Sequence, residues 1–170
     1  MHTTTDNGTD PLVTGVHDRW TDQGMAGGPW PFMAMCSIGR LHSVLKKALD
    51  VELKKADLSR TGYFLLTTLA LTGEGSARLS TLSRFLMMHP TSVKLTADQL
   101  ERDGLVTLLP HPHDRRATLV RITGDGRTRA AAVNEALESP SGPLGALDGI
   151  HRSVFEALQP VRLAVGDLDL

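Results

Sequence analysis

Apolar residues recur along most of this chain at three- and four-residue intervals, the period of helices buried on one side. Met35, Ile38, Leu41, Leu45, Leu49 and Leu53 predict a long helix over about 31–55. Asp57 or Ser59 caps a second helix, which carries Tyr63, Phe64, Leu66, Leu69 and Leu71 and stops near Gly73. A short strand over 77–79 leads into a helix over 80–88, with Ser80 as N-cap and Leu82, Phe85 and Leu86 facing the core. His89-Pro90-Thr91 is a turn with helix-start chemistry. The helix that follows, Pro90 to about Asp103, buries Val93, Ala97 and Leu100 and ends at Gly104. The period then shortens. Two aliphatic or β-branched runs, 105–110 and 118–123, predict a hairpin whose tip, 111–117, is a long polar, basic loop. An Ala-rich helix over 123–138 is broken by the Pro/Gly-rich segment 139–145, and a last helix spans about 147–165 with a bend at Pro160.

Upstream of these elements, Asp10 as N-cap and Pro11 at N1 predict a short helix over 10–21, with Leu12, Val13, Val16 and Trp20 near one face. Residues 23–31 are a Gly/Pro connector, and 1–9 are expected to be disordered. Length sets the frame: 170 residues make one domain, 29–170, behind a flexible arm, 1–28. The fold class is mainly α with a small β-hairpin wing. Aromatics are only 4% of the chain, so Leu, Val, Ala and Met must fill the core. The lone cysteine, Cys36, excludes an intrachain disulfide and a cysteine-built zinc site. The polar start has no apolar signal region, and no apolar run reaches about 18 residues, so the expectation is a cytoplasmic protein with no membrane partner.

A net charge of −1 argues against a nucleic-acid partner until its distribution is read. Between Arg78 and Arg129 lie nine Lys/Arg and five Asp/Glu, a basic segment in an acidic frame. Ordinary solvated charge explains such a segment equally well. The order of elements decides more: helix, turn, helix, hairpin is a winged helix-turn-helix, over about 59–123. A recognition helix needs short polar residues at its N-terminal end, which enters the major groove. Pro90 opens that end, and Thr91, Ser92, Lys94 and Leu95 lie opposite the buried stripe. A wing needs guanidinium groups for the minor groove or nearby phosphates, and Arg115 and Arg116 supply them.

Three blocks carry a resemblance: Leu100-Glu101-Arg102-Asp103-Gly104-Leu105-Val106, Pro112-His113-Asp114-Arg115-Arg116-Ala117 and Ile122-Thr123-Gly124-Asp125-Gly126-Arg127. In order and spacing they resemble the MarR family of bacterial transcriptional regulators, over about 29–167. The resemblance implies a DNA-binding regulator, not an enzyme. Most members are homodimeric repressors released by a small effector. It implies dimerisation through helices at about 31–55 and 124–167, with Leu147, Ile150, Val154, Leu158, Val161 and Leu163 as terminal-helix candidates. Two recognition helices then address half-sites about 34 Å apart on a pseudo-palindromic double-stranded operator. By position, Asp114 resembles the wing acid that orients an arginine, Arg116, while Arg115 sits nearer phosphate. Three departures stand out: Lys94 where Thr is common, Leu95 where a polar residue is common, and Leu108 where a base is common.

Effectors in this family are small anionic or phenolic compounds, held between the dimerisation helices and the DNA-binding lobe. Trp20, Trp30, Met33, Met35, Arg40, His42 and Tyr63 are candidates for an apolar wall with a carboxylate-binding cation. Met at helical spacing and a solvated histidine are the plainer readings of the same residues. Cys36 lies near the position of the reactive cysteine in the peroxide-sensing branch, but Leu49 and Arg60 stand where that branch has tyrosines. A buried inert thiol and a thiol switch are both open. His89, His111 and His113 lack the further convergent ligand that zinc wants, so no metal or other cofactor is expected. No Gly-rich phosphate loop, nucleophile elbow or motif-placed carboxylate pair offers a foothold for catalysis. A winged helix kept as a protein-interaction module, with no specific DNA site, is the remaining alternative.

Overall fold

The computed structural model describes residues 10–112, 114–145 and 150–167, without the side chains of Arg115 and Arg116. The segment 1–9 of the predicted arm, expected to be disordered, His113 and Leu147 therefore lie outside the described residues. The chain divides into two compact units, Met1–Lys47 and Ala48–Leu170.

In the first unit Asp10 caps as expected, its Oδ1 accepting from the Leu12 amide at 2.9 Å. The expected α-helix is instead a π-helical turn, Val13–His17, followed by one α-turn, α1 (Asp18–Trp20). A tilted ring pair joins His17 to Trp30, and another joins Trp20 to Phe32. Long helix α2 (Trp30–Lys55) begins here, and the division between units falls within it. Met35 and Ile38, read from the period as core, are exposed, as are Trp30 and Phe32. Helical spacing identifies a stripe but not what covers it.

The second unit holds the core. Helix α3 (Arg60–Leu71) starts at Ser59, whose Oγ accepts from the Gly62 amide at 3.0 Å. That settles the choice between the two candidate caps. The Arg60 guanidinium bonds both Asp50 oxygens, which raises its pKa above the usual arginine value. Strand β1 (Ser76–Arg78), helix α4 (Leu79–Phe85), helix α5 (Pro90–Arg102), strands β2 (Val106–His111) and β3 (Asp114–Ile122), helix α6 (Gly124–Glu138) and helix α7 (His151–Ala164) follow. The three strands form one antiparallel sheet in the order β1-β3-β2. Leu65, Leu66 and Leu69 of α3, Leu82 of α4, and Val93, Ala97 and Leu100 of α5 pack with Leu105, Val106, Val120 and Ile122. A smaller cluster joins Leu53, Tyr63 and Val133, with Leu49 and Leu137 against it.

Three local expectations change. Ser80 is not a cap: α4 starts one residue earlier behind Arg78, which makes no side-chain cap bond. Phe85, expected in the core, closes a seven-residue helix and is exposed, while Ser83 is buried and donates to the Met88 carbonyl at 2.7 Å. The polar tip is not a long loop. Ladder pairing reaches His111 opposite Asp114, with an irregularity between Pro110 and His111. Backbone pairing does not depend on side-chain polarity, so a polar run reads as loop while the ladder continues through it. Thr123 caps α6, accepting from the Gly126 amide at 3.1 Å. No residue of α7 is buried, and Pro160 lies within it.

Candidate nucleic-acid interface

The turn between α4 and α5 is held from inside. The Leu86 amide closes α4 on the Leu82 carbonyl, and Met87 takes a left-handed conformation, φ 51°. Pro90 occupies the first turn of α5, where its missing amide costs nothing. His89, weighed above as a metal ligand, is the N-cap: its Nδ1 accepts from the Thr91 amide at 3.3 Å. Among the described residues no group of three or more His, Cys, Asp or Glu side chains is placed to hold a metal.

Helix α5 has two unlike faces. Val93, Ala97 and Leu100 are almost wholly buried. Opposite them Thr91 and Ser92 are exposed, and Leu95 is 65% exposed. Lys94 is half-buried and pairs with Asp98, one turn on. The helix stops at Asp103, and Gly104 takes the left-handed position, φ 73°, that turns the chain into β2. Thr123 Oγ1 donates to the Gly104 carbonyl at 2.8 Å, tying that turn to the start of α6.

The wing is the far end of β2 and β3. Arg115 and Arg116 lie on β3, and Asp114, half-buried, opens it. The recognition helix and the root of the wing are also joined directly: Glu101 Oε1 accepts from the Leu108 amide at 2.7 Å. Neither that bond nor the His89 cap was found by sequence spacing. The cap had a usable signal in the Pro at the following position, whereas the Glu101 bond depends on which strand is outermost.

A cavity of about 630 Å³ lies among Leu79, Ser83, Arg84, Met87, Met88, Pro90, Asp114 and Thr118. A second, of about 560 Å³, is lined by Leu53, Lys54, Leu58, Leu95, Gln99 and Asp103 among others. The effector candidates line neither cavity. Trp20 Nε1 donates to the Gly27 carbonyl at 2.9 Å, Trp30 forms the tilted ring pair with His17, Met33 is half-buried, and Arg40 and His42 are exposed. Tyr63 belongs to the other unit, where its hydroxyl donates to Asn134 Oδ1 and burial raises its pKa. Cys36 is a half-buried free thiol.

Known proteins share this arrangement. The model of the MarR family matches residues 58–118, which span α3 through the wing. Sco5413 of Streptomyces coelicolor, a MarR family transcriptional regulator, is 35% identical, and the match covers 84% of this chain and 100% of that one with a TM-score of 0.72. The chain belongs to the MarR family of transcriptional regulators. Another relative, the HTH-type transcriptional repressor IacR of Pseudomonas putida, is 30% identical over 98 residues, 58% of each chain. The fold is also that of Sco3205, a MarR family transcriptional regulator of Streptomyces coelicolor solved in complex with DNA, at 19% identity and a TM-score of 0.63 over 76% of this chain and 86% of that one.

Proposed function

We propose that this MarR-family regulator is a homodimeric repressor, not an enzyme, which binds a pseudo-palindromic operator in the cytoplasm and is released by a small aromatic or anionic effector. The observation that carries the DNA reading is the division of α5. One face is locked into the core, and the other presents Thr91, Ser92, Lys94 and Leu95 beside an N-terminus opened by Pro90. A rigidly seated helix with short polar residues at its N-terminal end suits base edges in a major groove. Leu95 offers an apolar contact to a thymine methyl. Arg116, oriented by Asp114, is assigned to the minor groove and Arg115 to phosphate.

Two exposed apolar surfaces support the dimer. In the first unit α2 exposes Trp30, Phe32, Met35 and Ile38; in the second, α7 exposes Phe155, Val161 and Leu163, next to Ile150. Single exposed apolar residues are ordinary, but continuous rows mark contact surfaces. The effector candidates are Trp20, Trp30, Met33, Arg40 and His42 in the first unit and Tyr63 in the second. The name of the relative IacR supports the repressor sense.

The test is binding to duplex DNA from around the protein's own coding region, at two salt concentrations and with competitor. Arg116→Ala should cost about 1–3 kcal/mol, and Lys94→Ala should reduce the salt slope by about one. Unchanged affinity and slope in both would sink these assignments.

One observation favours a second reading, a protein-interaction module. Lys94 is neutralised by Asp98 beside an exposed Leu95, so this part of α5 is weakly charged and partly apolar. Binding that competitor abolishes on every fragment would favour it. A thiol switch at Cys36 predicts that Cys36→Ser keeps DNA binding and loses any response to oxidant.

A further inference from the structure

Strand β2 is an edge strand of the sheet, since the order is β1-β3-β2. Its amides that face away from β3 have no ladder partner, and such an edge must be bonded elsewhere, hydrated or blunted. The Leu108 amide is bonded elsewhere, to the Glu101 carboxylate in the last turn of α5. By the two-residue period of a strand, the next amide on that side belongs to Pro110, which has no hydrogen to give. One outward donor of the edge is spent on the recognition helix and the next is absent. Beyond them the ladder resumes, after the irregularity between Pro110 and His111, at His111 and Asp114 at the tip. An ionised acceptor makes the Glu101 bond shorter and about twice as strong as a neutral one.

We infer that Glu101 is a positioning residue for DNA recognition: its carboxylate holds β2, and through the ladder β3 with its arginines, at a set distance from the reading face of α5. This rests on the DNA-binding reading above. Glu101 need not touch DNA. Without the bond, β2 is tied to α5 only through the chain turn at Asp103-Gly104-Leu105 and its packed core residues. Wing and helix then reach their grooves as two partly independent elements, and part of the binding energy goes into ordering them.

The experiment uses the full chain and a duplex that the wild-type protein selects from a random pool. Glu101→Ala should weaken binding roughly tenfold, the worth of one hydrogen bond to a charged group. Glu101→Gln keeps an oxygen acceptor in the same place but not its charge, and should lose only about threefold. In an Arg116→Ala background the further loss from Glu101→Ala should largely vanish, whereas in a Thr91→Ala background it should persist, because the residue acts through the wing. Amide exchange at Leu108 in the free protein should quicken in Glu101→Ala and not in Glu101→Gln. The inference is overturned if Glu101→Ala binds like wild type, if Gln is as weak as Ala, or if the loss survives intact without Arg116. A wild-type chain that selects no duplex would overturn the DNA reading itself, and the role of Glu101 with it. Selection followed by any of the other three results overturns only the role of Glu101.

Discussion

Gly126→Ala is the substitution whose cost the structure defines most sharply. Gly126 lies in the first turn of α6, and a Cβ built there would stand 2.2 Å from the Leu105 carbonyl oxygen and 3.0 Å from Ile122 Cγ1. Ordinary contact begins at 3.4 Å, so the carbonyl must retreat by about 1 Å through a close-packed junction. That carbonyl accepts from the Thr123 amide at 3.0 Å, and the retreat strains this bond as well. Overpacking costs about 1–3 kcal/mol and a compromised hydrogen bond about 1 more. The sum, about 2–4 kcal/mol, corresponds to a fall in Tm of roughly 5–15 °C for a chain of this size. Gly124, two residues away in the same helix, is the control: nothing lies within 4 Å of its Cβ position. Gly124→Ala should be neutral or stabilising by a few tenths of a kcal/mol, since Ala is the better helix former. Thermal and urea unfolding followed by circular dichroism, at one protein concentration, measures both. A Gly126→Ala protein no less stable than Gly124→Ala would refute the claim that backbone approach at Leu105 requires the glycine.

Tyr63 is the chain's one tyrosine, so phenolate absorbance reports it alone. Burial raises its pKa above the ordinary value of 10.0, so the folded protein should titrate at higher pH than the urea-unfolded chain. Below that ordinary value the phenol is neutral in both states and its contribution to stability is full. Above it the unfolded chain loses the proton first, so stability falls as pH rises through the folded pKa. Equal midpoints for the folded and unfolded chains would contradict the buried placement. Thr123→Val removes both the cap to Gly126 and the bond to the Gly104 carbonyl, and should cost about 1–2 kcal/mol in urea unfolding. Thr123→Ser keeps the hydroxyl and should recover most of that; a Val variant as stable as wild type, with the loss appearing in Ser instead, would show that the methyl packing, not the hydroxyl, matters.

Much of the second unit was readable in advance because its signals are local. Val93, Ala97 and Leu100 recur at spacings that only a helix places on one face, and all three are buried. Gly104 after the last periodic residue marked the stop, and it takes the left-handed conformation that glycine allows. Thr123 before an Ala-rich run marked the next start, and its hydroxyl caps it.

What composition and period determined, then, was the order and type of the elements from α2 to α6, and the buried stripe of α5. Those properties follow from how often apolar groups recur and which side chains satisfy helix ends, and both are written along the chain. Tertiary structure alone decided which strand lies outermost, and so why Glu101 bonds the Leu108 amide. It also decided that the ladder continues to His111 and Asp114, and that Phe85 faces solvent while Ser83 does not. Each depends on which groups approach from elements distant in sequence, or on backbone pairing indifferent to side-chain polarity, and no periodicity encodes either.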